Sequence, residues 1–81
     1  MSRRTYSGRE VAKVLIRWGF KPVGGRGSHR VLRYSNEETG EVRTVTVPMH
    51  DEIKTGTLRE IAKEAGAKDF NSFCSEIDEW L

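Results

Sequence analysis

Two stretches in the middle of this chain constrain its fold most. Ser28 to Tyr34 and Val42 to Val47 are rich in β-branched and aromatic residues, and the polar segment Ser35 to Glu41 separates them. Branched and aromatic side chains suit a pleated, half-buried surface, so both stretches read as strands. A short polar connection containing Gly40 makes antiparallel pairing the economical arrangement. A third apolar stretch, Phe20 to Val23, precedes them. Pro22 cannot donate to a ladder, which confines that stretch to a sheet edge or a strand start. Gly24-Gly25-Arg26-Gly27 then reads as a turn or flexible loop, and Pro48 ends the last strand.

Helical patterns flank these strands. Ser7-Gly8-Arg9-Glu10 has the spacing of a capping box, and Val11, Val14, Leu15 and Trp18 follow at one-face spacing. Gly19 suits the helix stop. Arg9, Lys13 and Arg17 form a basic stripe. After a loop from Met49 to Gly56, Thr57-Leu58-Arg59-Glu60 repeats the box. It predicts a helix with Leu58, Ile61, Ala62 and Ala65 inward, ended by Gly66. Asp69 is placed to cap a third helix carrying Phe70, Phe73, Cys74, Ile77 and Leu81 on one face. Its other face carries Glu76, Asp78 and Glu79. The expected order is α-β-β-β-α-α, an α+β fold with a three-stranded antiparallel sheet and helices on one face. The other sheet face is left open to solvent or a ligand. Trp18, Phe70, Phe73 and Trp80 are expected in the core, while Tyr34 is the one strand aromatic that could stack on a base.

Eighty-one residues suit a single domain spanning 1–81, with a core region 6–66 and an additional C-terminal helix 69–81. Charged residues at 32% and hydrophobic ones at 36% are ordinary for a globular chain, not a disordered one. The net charge of +2 hides a strong asymmetry. Residues 1–34 hold nine Lys/Arg against Glu10, a net of +8, while residues 35–81 hold five Lys/Arg against eleven acids, a net of −6. The first half is expected to bind anions, and the second to avoid them or meet a basic partner. Cys74 is the only cysteine, so an internal disulfide and an all-cysteine metal site are both excluded, which fits a reducing cytoplasm. No apolar run follows Met1-Ser2-Arg3-Arg4, so no secretory signal is read there. No stretch approaches the roughly 20 apolar residues of a membrane span.

Two histidines are available for chemistry. His29 follows Gly27-Ser28 and is surrounded by Arg26, Arg30 and Arg33. Histidine is the side chain whose unperturbed titration lies near neutral pH, which suits general acid or base work. Glycine-loop N–H groups with Arg26 and Arg30 could hold a phosphate. A surface histidine at a strand start is the plainer reading. His50, in Pro48-Met49-His50, could complete an acid/base pair, contact a phosphate or merely cap a loop. Zinc-finger spacing is absent, and the glycine run lacks the nucleotide-binding pattern. Cys74 falls on an apolar helical face and reads as a small buried hydrophobe.

The motifs taken together resemble a known family. Ser7-Gly8-Arg9-Glu10-Val11, Gly19-Phe20, Gly27-Ser28-His29, Val45-Thr46-Val47-Pro48-Met49-His50, Gly56-Thr57-Leu58-Arg59-Glu60-Ile61 and Ala65-Gly66 are similar in order and spacing to the HicA toxins, over residues 6–66. The resemblance implies a double-stranded-RNA-binding-like fold and cleavage of messenger RNA without a metal or other cofactor. It implies a catalytic role for His29 and an approach to the site formed by Gly27 and Ser28. It also implies neutralisation by a HicB-like antitoxin that covers His29. His50 matches the family's second histidine. Arg26, Arg30 and Lys13 are the further candidates for RNA or phosphate contact. A non-catalytic RNA-binding module of the same fold is the alternative. The tail from Lys68 to Leu81 is longer and more acidic than the family pattern. It leaves three roles open: packing on the core, forming a homodimer with a second copy, or shielding the basic face.

Overall fold

The computed structural model describes residues 5–79 of the chain. The element order is α1 (Gly8–Arg17), β1 (Lys21–Arg26), β2 (His29–Asn36), β3 (Glu41–Pro48), α2 (Thr55–Ala65) and α3 (Phe70–Glu79). The strands form one antiparallel sheet in the order β1-β2-β3. This is the α+β arrangement expected from the sequence, consistent with the double-stranded-RNA-binding-like fold.

The core lies between one sheet face and the helices. Leu32, Val45 and Val47 point inward from the sheet. Val11, Val14 and Leu15 of α1, Leu58 and Ile61 of α2, and Phe73 and Ile77 of α3 meet them there. Side chains alternate along a strand, so the choice between adjacent Val31 and Leu32 resolves to Leu32 as the buried one. The opposite alternation, His29, Val31, Arg33 and Ser35 on β2 with Val42, Thr44 and Thr46 on β3, forms the open face. Of the roles open to the C-terminal segment, the described residues show α3 packed on the core through Phe73, Cys74 and Ile77. Trp80 and Leu81, like Met1 to Arg4, lie outside the described residues.

Three local readings change. Gly24, Gly25 and Arg26 belong to β1 and pair with Val31, Arg30 and His29, leaving only Gly27-Ser28 as the turn. A register shift between Pro22 and Gly24 absorbs the proline and lets the ladder continue past it. The β2–β3 connection shrinks because Ser35, Asn36 and Glu41 are in the ladder. Finally, α2 begins a turn early. Its N-cap is Lys54, without a side-chain cap bond, so Thr57 is inside the helix. The cause is Ile53, whose N–H donates to the Tyr6 carbonyl at 2.7 Å while its side chain is buried. With Ile53 fixed there, the helix starts at once and still brings Leu58, Ile61, Ala62 and Ala65 inward. The other two caps stand as expected. Ser7 and Glu10 form both bonds of the capping box, and Asp69 accepts from the Ser72 N–H at 2.7 Å.

Candidate active site

His29 owes its position to a tight hairpin. Gly27 has φ of 61° at the first central position of the two-residue turn, and no other residue type in the turn has positive φ. That is the glycine-first pattern favoured between twisted antiparallel strands. Arg26 and His29 close the turn as a cross-strand pair, which puts both side chains on the open face. Arg33 and Lys21 are paired further along the same face. The structure therefore joins a cationic strip to the exposed His29 side chain.

His50 reaches the same corner by a different route. The Met49 N–H donates to the Ser28 carbonyl, tying the segment after β3 to the hairpin turn. The Gly8 N–H donates to the His50 carbonyl at 2.9 Å. Gly8 has no Cβ to collide with the Pro48 carbonyl, so α1 can begin against the end of β3. These bonds hold the two histidine backbones, and the two imidazole centroids lie 6.2 Å apart with an interplanar angle of 68°. Both rings are on exposed residues.

Between and beside the rings is a cleft of about 400 Å³, lined by His29, Thr46, His50, Glu52, Lys54 and Thr57 among others. It opens at the start of α2, where no side chain caps the helix and the first turn holds no acid. Amide groups in a first helical turn lack intrahelical acceptors and carry the positive end of the helix dipole. Among the described residues Glu52 is the one carboxylate on the wall. On its other side His50 lines a smaller cleft of about 100 Å³ with Ser7, Arg9 and Asp51.

The remaining sequence candidates are placed less centrally. Arg30 follows His29 in β2 and so faces the other way. Its guanidinium turns back on the hairpin and donates to the carbonyls of Gly27 at 3.4 Å and His29 at 3.3 Å. Lys13 is exposed on α1, one turn beyond the Arg9 that reaches the His50 cleft. Thr46, Lys54, Thr57, Glu52 and Arg9 escaped the reading of the sequence as site residues. Thr57 does lie within the Gly56-Thr57-Leu58-Arg59 motif, and that was the available sign.

Other chemistry-bearing groups are elsewhere. A second cleft, about 370 Å³, sits at the far end of the sheet, lined by Trp18, Phe20, Tyr34, Arg43 and Gly66 among others. Tyr34 packs on Phe20 there, with ring centroids 5.6 Å apart, on the helix-covered side. Cys74 is buried, and burial pushes its thiol above its ordinary range, which suits packing and not nucleophilic attack. Among the described residues no three of His, Cys, Asp and Glu converge as a metal site requires. No described helix is long and apolar enough to cross a membrane.

Two comparisons bear on this arrangement. Residues 8–67 match the family model described as the HicA toxin of bacterial toxin-antitoxin. The match contains both histidines, the hairpin and all of α2. No curated protein matches the chain.

Proposed function

The chain belongs to the HicA toxin family of bacterial toxin–antitoxin systems, and on that basis we propose that it is an endoribonuclease that cuts messenger RNA with His29 as a general acid/base. The observation that carries this reading is the placement of His29. Its ring is on an exposed residue at the tip of a cationic hairpin, and it lines a cleft with a second histidine.

Cleavage at an RNA phosphodiester needs a group to take the 2′-OH proton, a group to protonate the leaving 5′-oxygen and cations for the phosphate. Arg26 lies across the ladder from His29, which supports a role for its guanidinium in pairing with phosphate oxygens. The Gly27-Ser28 turn allows close backbone approach to the strand of RNA. Arg30 orders that turn through its two carbonyl bonds. His50 and, at longer range, Lys13 extend the binding surface. The reaction is proposed to run in the cytoplasm without a metal, and to stop when a HicB-like antitoxin covers His29.

The test is cleavage of a defined messenger RNA by wild type and His29→Ala, in EDTA. Loss of one general acid/base is expected to slow cleavage roughly 10²–10⁴-fold, and wild type should leave a 2′,3′-cyclic phosphate. Equal cleavage by both proteins removes His29 from the mechanism. Salt-dependent RNA binding by both with cleavage by neither would replace the enzyme with a non-catalytic RNA-binding module.

A further inference from the structure

We infer that His50 is the second catalytic residue: it donates the proton to the leaving 5′-oxygen, while His29 accepts the proton of the attacking 2′-OH. This assignment rests on the ribonuclease reading above and adds the division of labour within it.

Spacing is the first ground. In-line attack places the entering and leaving oxygens on opposite sides of phosphorus, so one ring cannot serve both at once. Two rings 6.2 Å apart, set nearly edge to face, can flank one phosphate, with each nitrogen within about 3 Å of its own oxygen. The cleft of about 400 Å³ beside them is large enough for a phosphate and its ribose. Anchoring is the second ground. Neither ring hangs from a mobile stem, because the hairpin turn is tied to Met49 and the His50 carbonyl to Gly8. Catalytic groups must be held in place to this degree for proton transfer to count.

The charged surroundings of the two rings differ. Arg26 pairs across from His29, and the Arg30 guanidinium lies against the His29 carbonyl. That cationic setting suits a phosphate held beside His29. His50 lines the smaller cleft with Asp51 and Arg9 and the larger one with Glu52 and Lys54. Carboxylates thus stand beside His50 as well as cations, unlike the cationic surroundings of His29. Lys54, Thr57 and the start of α2 remain for the non-bridging phosphate oxygens.

The step balances without a further reactant. The 2′-oxygen bonds to phosphorus as its proton passes to His29. The bond from phosphorus to the 5′-oxygen breaks as His50 gives that oxygen its proton. The products are a 2′,3′-cyclic phosphate and a 5′-hydroxyl, and the two rings exchange their proton states with water.

A bridging-sulfur substrate isolates the acid. An RNA with a single 5′-phosphorothiolate linkage expels a thiolate, which leaves without a proton. On ordinary RNA, His50→Ala is expected to lose roughly 10²-fold or more in single-turnover rate. On the phosphorothiolate RNA it should cleave within about tenfold of wild type, while His29→Ala stays defective on both. Fluorescence anisotropy should show RNA affinity falling far less than the cleavage rate in His50→Ala and His50→Gln. The side chain is exposed and the structural bond uses the backbone, so both variants are expected to fold. An equal defect on both substrates, or no defect on ordinary RNA, overturns the role of His50 and leaves a His29-dependent ribonuclease standing. Full cleavage of both substrates by His29→Ala instead removes His29 from the mechanism and the division of labour with it, while cleavage of neither substrate by wild type brings down the ribonuclease reading itself.

Discussion

At Gly25 the backbone has φ of 143°, and a Cβ built there would run into the carbonyl oxygen of His29. Its neighbour Gly24 has an ordinary φ and open space where a Cβ would go. Adjacent glycines therefore do different work. Gly25→Ala is expected to cost roughly 1–3 kcal/mol through backbone strain, and to cut cleavage further by displacing His29, since a shift of about 1 Å can cost around 10²-fold. Gly24→Ala should stay within about 1 kcal/mol and keep activity. Urea unfolding and RNA cleavage of the two variants check this, and equal effects would dissolve the distinction. The Gly-Ser-His tripeptide and its arginines were visible in the sequence because they are contiguous. The role of Gly25 was not, because it depends on the β1–β2 register. An acid/base pair of His29 with His50 was one reading open from sequence, but the approach of the two rings to 6.2 Å depends on contacts across the chain that spacing does not encode.

The two apparent capping boxes show the same limit at the level of elements. Ser7 accepts from the Glu10 N–H at 3.1 Å, and Glu10 accepts from the Ser7 N–H at 2.9 Å. Thr57 has the same local spacing to Glu60 but lies inside a helix that starts at Thr55. The inward faces of α1 and α2 were legible because apolar periodicity survives a shift of start point. The start of α2 was not, because a long-range bond from Ile53 to Tyr6 sets it. Likewise β1 runs through a glycine pair that composition assigns to a loop, since ladder bonds to β2 outweigh the weak strand preference of glycine. Ser7→Ala is therefore expected to destabilise the fold by about 1 kcal/mol. Thr57→Ala should change stability by no more than about 0.5 kcal/mol. Chemical denaturation of both decides the matter, and a loss at Thr57 matching that at Ser7 would restore Thr57 as the cap.

At the scale of the whole molecule, charge and connectivity are arranged around α3. The cationic strip occupies the open sheet face, while the acidic C-terminal helix packs on the helical layer behind it. Contacts among the described residues bind that helix to the start of the chain. Trp18 and Phe73 meet edge to face at 5.5 Å, the Trp18 indole N–H donates to Glu76 at 3.4 Å, and the Tyr6 hydroxyl donates to Asp78 at 3.4 Å. Tyr6 is only 3% exposed. Burial, followed by the nearby Cys74 and Asp78, pushes its hydroxyl from 10.0 up to about 12. A group whose folded-state value is raised contributes stability that is complete below its unfolded value and disappears as pH rises through the folded one. For Tyr6 the window runs from about pH 10 to about pH 12, and the loss across it approaches ~2–3 kcal/mol. The raised Cys74 thiol adds to the decline in the same direction. Tyr6→Phe should begin about 1 kcal/mol less stable at neutral pH, having given up the bond to Asp78. It should then decline less steeply, so the gap to wild type narrows as alkali is added. Thermal unfolding followed by circular dichroism at stepped alkaline pH measures both slopes. Parallel declines would mean that the Tyr6 hydroxyl does not couple the ends of the fold to pH.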